Sequence, residues 1–263
     1  MPNHPDLDFL IHLASRSGAI LREGFGKEHQ IDYKSAIDIV TEVDHRSEAY
    51  LLGEIRRQFP EHRIISEETG LVQGKDCCVW YIDPLDGTVN YAHHIPIFAV
   101  SIAYVAEGQI KLGVIYEPLR DECFTAEAGK GARLNDRPIQ CSKTSEMEQA
   151  LLVTGFSYDV RTNPVNNLDW FAYFTLRSRG VRRIGSAAVD LGYIAAGRFD
   201  GYWELQLGSY DIAAGALIAA EAGATVTSIR GMADFLTPPA SILAATPAIH
   251  DQLLQAFIGG RAE

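Results

Sequence analysis

The sequence predicts an α/β protein whose helices and strands pack in layers. Three observations lead there: residues 5–25 and about 41–59 read as helices, the middle of the chain is a run of short apolar strands broken by turns, and the second half alternates helix with strand. Apolar residues at Leu7, Leu10, Ala14, Leu21 and Phe25 share one face, so 5–25 reads as an amphipathic helix. A second helix is expected from about Thr41 to Phe59, where Pro60 stops it. Short strands follow at RIIS (63–66) and CVWYI (78–82). FAVSIAYV, QIKLGVIY and ECFTAEA then read as strands separated by Glu107-Gly108 and Glu117-Pro118. LLVT (151–154) opens the second half. A helix near 164–178, a strand near 181–184, a helix from about Ser186 and a strand at FDGYWEL come next. A helix from about Ser209 to Gly223, strands at ATVTSI and SILAAT, and a last helix finish the pattern. No repeat, low-complexity tract or linker interrupts it. The chain therefore reads as one domain, 1–263, with two lobes of about 1–145 and 146–263.

Composition narrows the function. The chain has 263 residues, 47 % hydrophobic and 22 % charged, with 23 Lys plus Arg against 34 Asp plus Glu. The net charge of −11 argues against nucleic acid or anionic membrane as partner. It still admits an anionic substrate if a bound cation reverses the local field. Four cysteines without CxxC spacing fit reduced thiols in a cytoplasm. The N-terminal helix lacks the basic start and cleavage site of a signal peptide. The longest apolar stretch, IFAVSIAYVA (97–106), falls short of the ~18–20 residues that span a bilayer. A cytoplasmic protein acting on a small molecule is expected.

The stretch WYIDPLDGTVNYA (80–92) is the informative one. Asp83 and Asp86 stand three residues apart after an apolar run, with Pro84 between them and Gly87-Thr88 behind. Alone, this is a Pro-containing turn in which Asp bonds locally. Other acids occupy similar settings: Glu67-Glu68 after RIIS, Asp44 closing DIVTEVD, and Asp211 opening DIAAGALIAAEAG. Acids gathered at strand ends and helix starts repel one another unless a cation lies among them. Carboxylate and carbonyl oxygens suit Mg²⁺ or Mn²⁺, and no His/Cys cluster offers a zinc site. The amides of Gly87 and Thr88 at a helix start would hold phosphate oxygens, and two metals ~4 Å apart clamp the attacking and leaving oxygens of phosphoryl transfer.

Taken together, DIVTEVD, SEE, WYIDPLDGTVNYAH and SYDIAAGALIAAEAGA resemble the inositol monophosphatase family. The likeness continues through AGKGARLND (128–136) and RRIGSAAVDLGYIAAGRFDGYWE (182–204). It implies a layered αβαβα sandwich of the inositol monophosphatase/fructose-1,6-bisphosphatase type. It also implies phosphate-monoester hydrolysis with two or three Mg²⁺ ions (Mn²⁺ as alternative), lithium sensitivity and a homodimer. By position, Glu67, Asp83, the Leu85 carbonyl, Asp86 and Asp211 match the metal ligands, with Asp83 bridging two ions. Glu67 and Thr88, with Asp44 hydrogen-bonded to Thr88, match the groups that orient and deprotonate the attacking water. A threonine hydroxyl is a poor base unless a carboxylate accepts from it. Substrate contacts are implied at Asp86, Gly87, Thr88, Arg182, Gly185, Ser186, Ala187, Glu204 and Asp211. The polyol would face Arg182, the 185–187 stretch and Glu204. The sequence departs from the family at Tyr210, where Trp is usual, at Ala224, where a second glycine is common, and in a short segment between Glu67 and Asp83.

Plainer readings stand beside these. Thr41-x-x-Asp44 also fits a capping box, which is compatible with a role in catalysis. Glu68 reads as a solvated or supporting acid, and Lys34 as a solvated lysine near the rim. Arg182 and Arg183 face opposite sides if they lie in a strand; Arg182 is the matched position. His93-His94 lack a third partner for a metal. Gly129-Lys130-Gly131 lacks the GxxxxGK[ST] frame and reads as a hairpin turn. Tyr202-Trp203 reads as packing. A haloacid-dehalogenase-like nucleophile needs Asp-x-Asp-Gly-Thr, whereas here the spacing is Asp-x-x-Asp and Pro84 interrupts it, so direct attack by water is expected. A non-catalytic interaction protein is disfavoured by the intact acids. Glu204 and GSAA (185–188) resemble the inositol-phosphate branch. The expected reaction is myo-inositol 1-phosphate plus water to myo-inositol plus phosphate, with fructose-1,6-bisphosphatase as the alternative.

Overall fold

The computed structural model describes residues 4–27, 31–33 and 39–259, with 31–33 and 39 as backbone alone; Lys34 lies outside them. Helix α1 (Leu7–Gly24) starts at Asp6, whose carboxylate accepts from the Phe9 amide at 2.9 Å. A short antiparallel ladder, β1 (Ile31–Tyr33) with β2 (Ile39–Thr41), leads into α2 (Glu42–Gln58). The capping box is present: the Thr41 amide donates to Asp44 Oδ2 at 2.9 Å, and the Thr41 hydroxyl accepts from the Val43 amide at 3.2 Å. Next come β3 (His62–Ser66), β4 (Gly70–Val72), β5 (Lys75–Asp86), the short α3 (Thr88–Ala92), β6 (Ala99–Ala106), β7 (Gln109–Glu117) and β8 (Glu122–Glu127). Two small strands, β9 (Ala132–Leu134) and β10 (Arg137–Pro138), close the first half. The second half runs β11 (Leu151–Thr154), α4 (Leu168–Thr175), β12 (Gly180–Arg182), α5 (Ala187–Ala195), β13 (Gly201–Leu207) and α6 (Ser209–Glu221). It ends with β14 (Thr225–Thr227), β15 (Ala240–Ala245) and α7 (Pro247–Gly259).

The strands form two main sheets. The eight-stranded sheet has the order β10-β9-β8-β7-β6-β5-β3-β4 and is antiparallel except between β3 and β5. The five-stranded sheet has the order β12-β11-β13-β15-β14, parallel in its first three strands. Period-two alternation divides β6 between two cores. Val100 and Ile102 join Leu10, Leu13, Leu51 and Ile55 of α1 and α2 on one face. Ala99 and Ala103 meet Val189 of α5 and Ala213, Ala214 and Leu217 of α6 on the other. The same two helices turn Leu191, Ile194, Ile212 and Ala216 toward Val153, Tyr202 and Ile242 of the second sheet. Phe174 of α4 and Ile249 and Leu253 of α7 cover its far face at Leu152, Trp203 and Leu243. The layers are therefore αβαβα. Small residues let α6 lie between two sheets: a Cβ on Gly113 of β7 would run into the Ala214 backbone.

Two differences from the sequence expectation have local causes. The helix expected near 164–178 is confined to 168–175. Asn163 and Asn166 accept from the amides of Val165 and Leu168 at 2.9 and 3.0 Å, local bonds that compete with helix. Strand β5 extends to Asp86 through Pro84, with a register shift against β6 between Asp83 and Asp86. Proline cannot donate to a ladder, so pairing loosens where the two aspartates stand. No helix among the described residues is long and apolar enough to cross a membrane.

Candidate active site

The end of β5 builds one wall of a cleft. Asp83 is 2 % exposed, and its Oδ1 accepts from the Leu85 amide at 3.0 Å. Asp86 Oδ2 accepts from Ser186 Oγ and the Ala188 amide, both at 2.6 Å, joining the strand end to the start of α5. Gly87 has φ 96°, a left-handed conformation in which a Cβ would also press on the Ile97 and Gly185 carbonyls. Asp211, in the first turn of α6, accepts from the Gly208 amide at 2.7 Å through Oδ2. Glu67 follows β3, and its amide donates to the Ile82 carbonyl at 3.2 Å. Glu67, Asp83, Leu85, Asp86 and Asp211 all line this one cleft, about 200 Å³ in volume. So do Gly87, Thr88, Gly185, Ser186, Ala187 and Glu204. His93 and His94 are not among its lining residues. The Gly129-Lys130-Gly131 turn lies elsewhere, its glycine amides donating to Glu221 at 2.7 Å each.

One face of α2 grips three turns of the site. Asp44 Oδ1 accepts from Thr88 Oγ1 at 3.1 Å, and Thr88 Oγ1 also lies 3.0 Å from the Leu85 carbonyl. Ser47 Oγ donates to the Pro84 carbonyl at 2.9 Å. Glu48, 5 % exposed, accepts from Ser66 Oγ at 2.5 Å and from the Thr69 amide and hydroxyl at 2.9 and 2.7 Å, holding both sides of Glu67-Glu68. Ser47 and Glu48 were not singled out from sequence. Their spacing was the available signal: Asp44, Ser47, Glu48, Leu51 and Ile55 share the buried stripe of the helix.

The field of the cleft is strongly negative. Burial raises the Asp83 carboxyl well above its ordinary range, and Glu67, Asp86 and Asp211 raise it further. Asp211 is raised well above its ordinary value by burial, then by Glu67 and Asp86. Burial pushes Asp86 up to about 6 against the donors Ser186 and Ala188, and Asp44 up to about 6 against Thr41. Crowded, buried carboxylates with a backbone carbonyl beside them fit a hard divalent cation in donor chemistry and in charge. Among the described residues no three His, Cys, Asp or Glu side chains close into a finished metal cage; the acids share a cleft and a field.

Arg183, Asp190 and Glu204 also line the cleft. Arg182 and Arg183 are both exposed; Arg183 is among the residues lining the cleft and Arg182 is not. Neighbouring residues in extended chain face opposite ways, so a shift of one position exchanges the two. Glu204 is 7 % exposed, receives the Tyr202 hydroxyl on Oε2 at 2.7 Å, and is pushed up to about 7 chiefly by burial. Tyr202 thus does more than pack. Gly155 lies so close that a Cβ there would collide with the Glu204 carboxylate. Tyr210, which replaces the expected Trp, also lines the cleft.

Residues 3–259 match the profile of the inositol monophosphatase family. The chain belongs to that family. It is 43 % identical over 259 residues to an inositol-1-monophosphatase of Synechocystis sp., covering 96 % of this chain and 90 % of that protein. It is 39 % identical to a protein of Pasteurella multocida named Nus factor SuhB, covering 95 % of each. The solved inositol monophosphatase of Anabaena matches with a TM-score of 0.87 at 42 % identity, over 97 % of this chain and 96 % of that one. The extragenic suppressor protein suhB of Bartonella henselae matches at 0.89 and 36 %, over 97 % and 98 %. Inositol monophosphatases are phosphoric monoester hydrolases, metal-dependent and generally using Mg²⁺. The αβαβα architecture described above is the fold of this family.

Proposed function

We propose that the protein hydrolyses myo-inositol 1-phosphate to myo-inositol and phosphate, with Mg²⁺ held by Glu67, Asp83, the Leu85 carbonyl, Asp86 and Asp211. The observation that carries this reading is that those five groups line one cleft together with Glu204 and Arg183. When bound, the cations supply Lewis acidity that activates water and stabilises the leaving alkoxide. The chain's own groups move the protons. Asp44 takes the Thr88 hydroxyl hydrogen on Oδ1 while Thr41 occupies Oδ2, so Thr88 Oγ1 turns its lone pairs toward an incoming water. Glu67, which lines the same cleft, accepts the second hydrogen. The Gly87 and Thr88 amides receive the phosphoryl oxygens, and Gly185, Ser186, Ala187 and Glu204, with Arg183 in place of Arg182, receive the polyol.

The remaining parts of the proposal are lithium inhibition, a cytoplasmic homodimer, and a single catalytic unit built from two lobes. A panel of phosphate esters assayed in Mg²⁺, in EDTA and with added Li⁺ tests it. Turnover should be fastest on inositol monophosphate and absent in EDTA. Turnover of fructose 1,6-bisphosphate alone would favour the alternative phosphatase. Several relatives bear the name Nus factor, which gives a non-catalytic role a specific motive. That role requires partner binding that survives Asp83→Asn and no Mg²⁺-dependent turnover by the unmodified protein.

A further inference from the structure

Asp190 lines the cleft but belongs neither to the metal-ligand set nor to the Thr88–Asp44 pair. It sits on α5, a helix buried on nearly every side, and is 1 % exposed. Its Oδ1 is sequestered without a hydrogen-bond partner among the described residues. Such an oxygen is expensive to leave unpaired in a folded protein, and the residue that carries it lines the space a substrate enters. The charged groups that act on it are Glu204, Asp86 and Arg183. Glu204, which also lines the cleft, accepts from the Tyr202 hydroxyl on Oε2 and keeps Oε1 as a further acceptor atom. Asp190, Glu204 and Arg183 therefore offer two carboxylate acceptors and one guanidinium. Hydroxyl groups can donate to both acceptors, whereas a second phosphate, which has only acceptor oxygens when ionised, meets repulsion.

We propose that Asp190 is a second acceptor for substrate hydroxyls, its carboxylate receiving an O–H of the polyol beside Glu204, and that the pair selects polyol monophosphates over bisphosphates. This rests on the reading of the cleft as a polyol-phosphate site. The contact is made by an oxygen atom and does not require the negative charge, so Asn, which keeps one carbonyl oxygen, should replace Asp190 in function, while an apolar residue should not.

The test compares Asp190→Leu and Asp190→Asn on two esters in Mg²⁺: myo-inositol 1-phosphate, and p-nitrophenyl phosphate, whose aryl group has no hydroxyl to donate. Asp190→Leu should raise KM for the inositol ester about tenfold or more, as expected for a lost buried hydrogen bond. Its constants on the aryl ester should stay within about twofold, and Asp190→Asn should stay within about threefold of the parent on both. Melting should occur no lower in Asp190→Leu than in the parent, because leucine relieves an unpaired buried acid; if that variant does not fold, Asp190→Ala is read by the same ratio. Equal losses on the two esters, or no loss on either, overturn the proposal. A parent enzyme that prefers another polyol phosphate overturns the inositol assignment alone, and the same ratio measured on that ester then decides Asp190.

Discussion

Replacing Asp86 with Asn should make the metal-free protein more stable while abolishing its response to Mg²⁺. The hydrogen bonds to Asp86 from Ser186 and Ala188 both end on Oδ2, and the Ala187 amide also acts on the carboxylate. The carbonyl oxygen of Asn can accept both, so the substitution removes charge and leaves the link to α5. Burial raises the Asp86 carboxyl from an ordinary 3.8 to about 6. At 1.36 kcal/mol per unit, the ionised group costs the native state on the order of 3 kcal/mol. The sign follows from linkage. Below pH ~4 both folded and unfolded forms hold the proton and the cost is absent; it grows as pH rises to about 6 and is complete above that. Unfolding entropy of about 2.1 cal/mol/K per residue over 263 residues converts ~3 kcal/mol into a shift of about 5 °C in Tm. Differential scanning calorimetry in EDTA at pH 4.5 and pH 8 measures it. Asp86→Asn should melt about 5 °C above the parent at pH 8 and only about 2 °C above it at pH 4.5, where roughly a third of the cost remains. Mg²⁺ at a hundredfold excess over Kd should restore about 2.7 kcal/mol to the parent and little to the variant. A variant less stable than the parent at pH 8 in EDTA, or one equally stabilised by Mg²⁺, would refute the reasoning.

Other outcomes separate the roles of individual groups. Asp44→Asn should lower kcat by ~10²–10⁴ without changing Mn²⁺ affinity in a calorimetric titration, because Asp44 acts on Thr88 from outside the cleft lining. Glu48→Ala should weaken Mn²⁺ binding by roughly 10–100-fold and lower Tm, since it frees Ser66 and Thr69 on either side of Glu67. Arg183→Ala should raise KM for the inositol ester by roughly tenfold, the worth of one charged hydrogen bond, while Arg182→Ala leaves it within about twofold.

How much of this was legible in sequence depended on whether the signal was local. The Thr41 cap, the stop at Pro60 and the Ser186 cap are local chemistry, and α2 and α5 begin and end close to those marks. Strands of two or three residues, such as β4, β9 and β10, are too short to show a period and take their form from neighbours in the sheet. At the site, Asp83, Asp86 and Asp211 were visible because strand-end and helix-start acids break the apolar pattern. The two arginines were not separable in sequence, since Arg182 ends the three-residue β12 and Arg183 follows it, where facing is fixed by register alone. Asp190 and Glu48 were missed for a shared reason. An acid within a helix is ordinarily solvated, and only the layering that buries α5 on nearly every side, or the turns that close on α2, makes it otherwise. In both cases the usable clue was an acid placed among buried apolar neighbours on the same helix face.

The central claim is that Glu67, Asp83, Asp86 and Asp211 act together as the seat of divalent cations. Anomalous diffraction from crystals grown with Mn²⁺ addresses it directly. The expected result is Mn²⁺ density in the cleft, touching Asp83 and at least two of the other three carboxylates, and lost in Asp83→Asn. Mn²⁺ bound only at the protein surface, with this cleft free of it at saturating concentration, would contradict it.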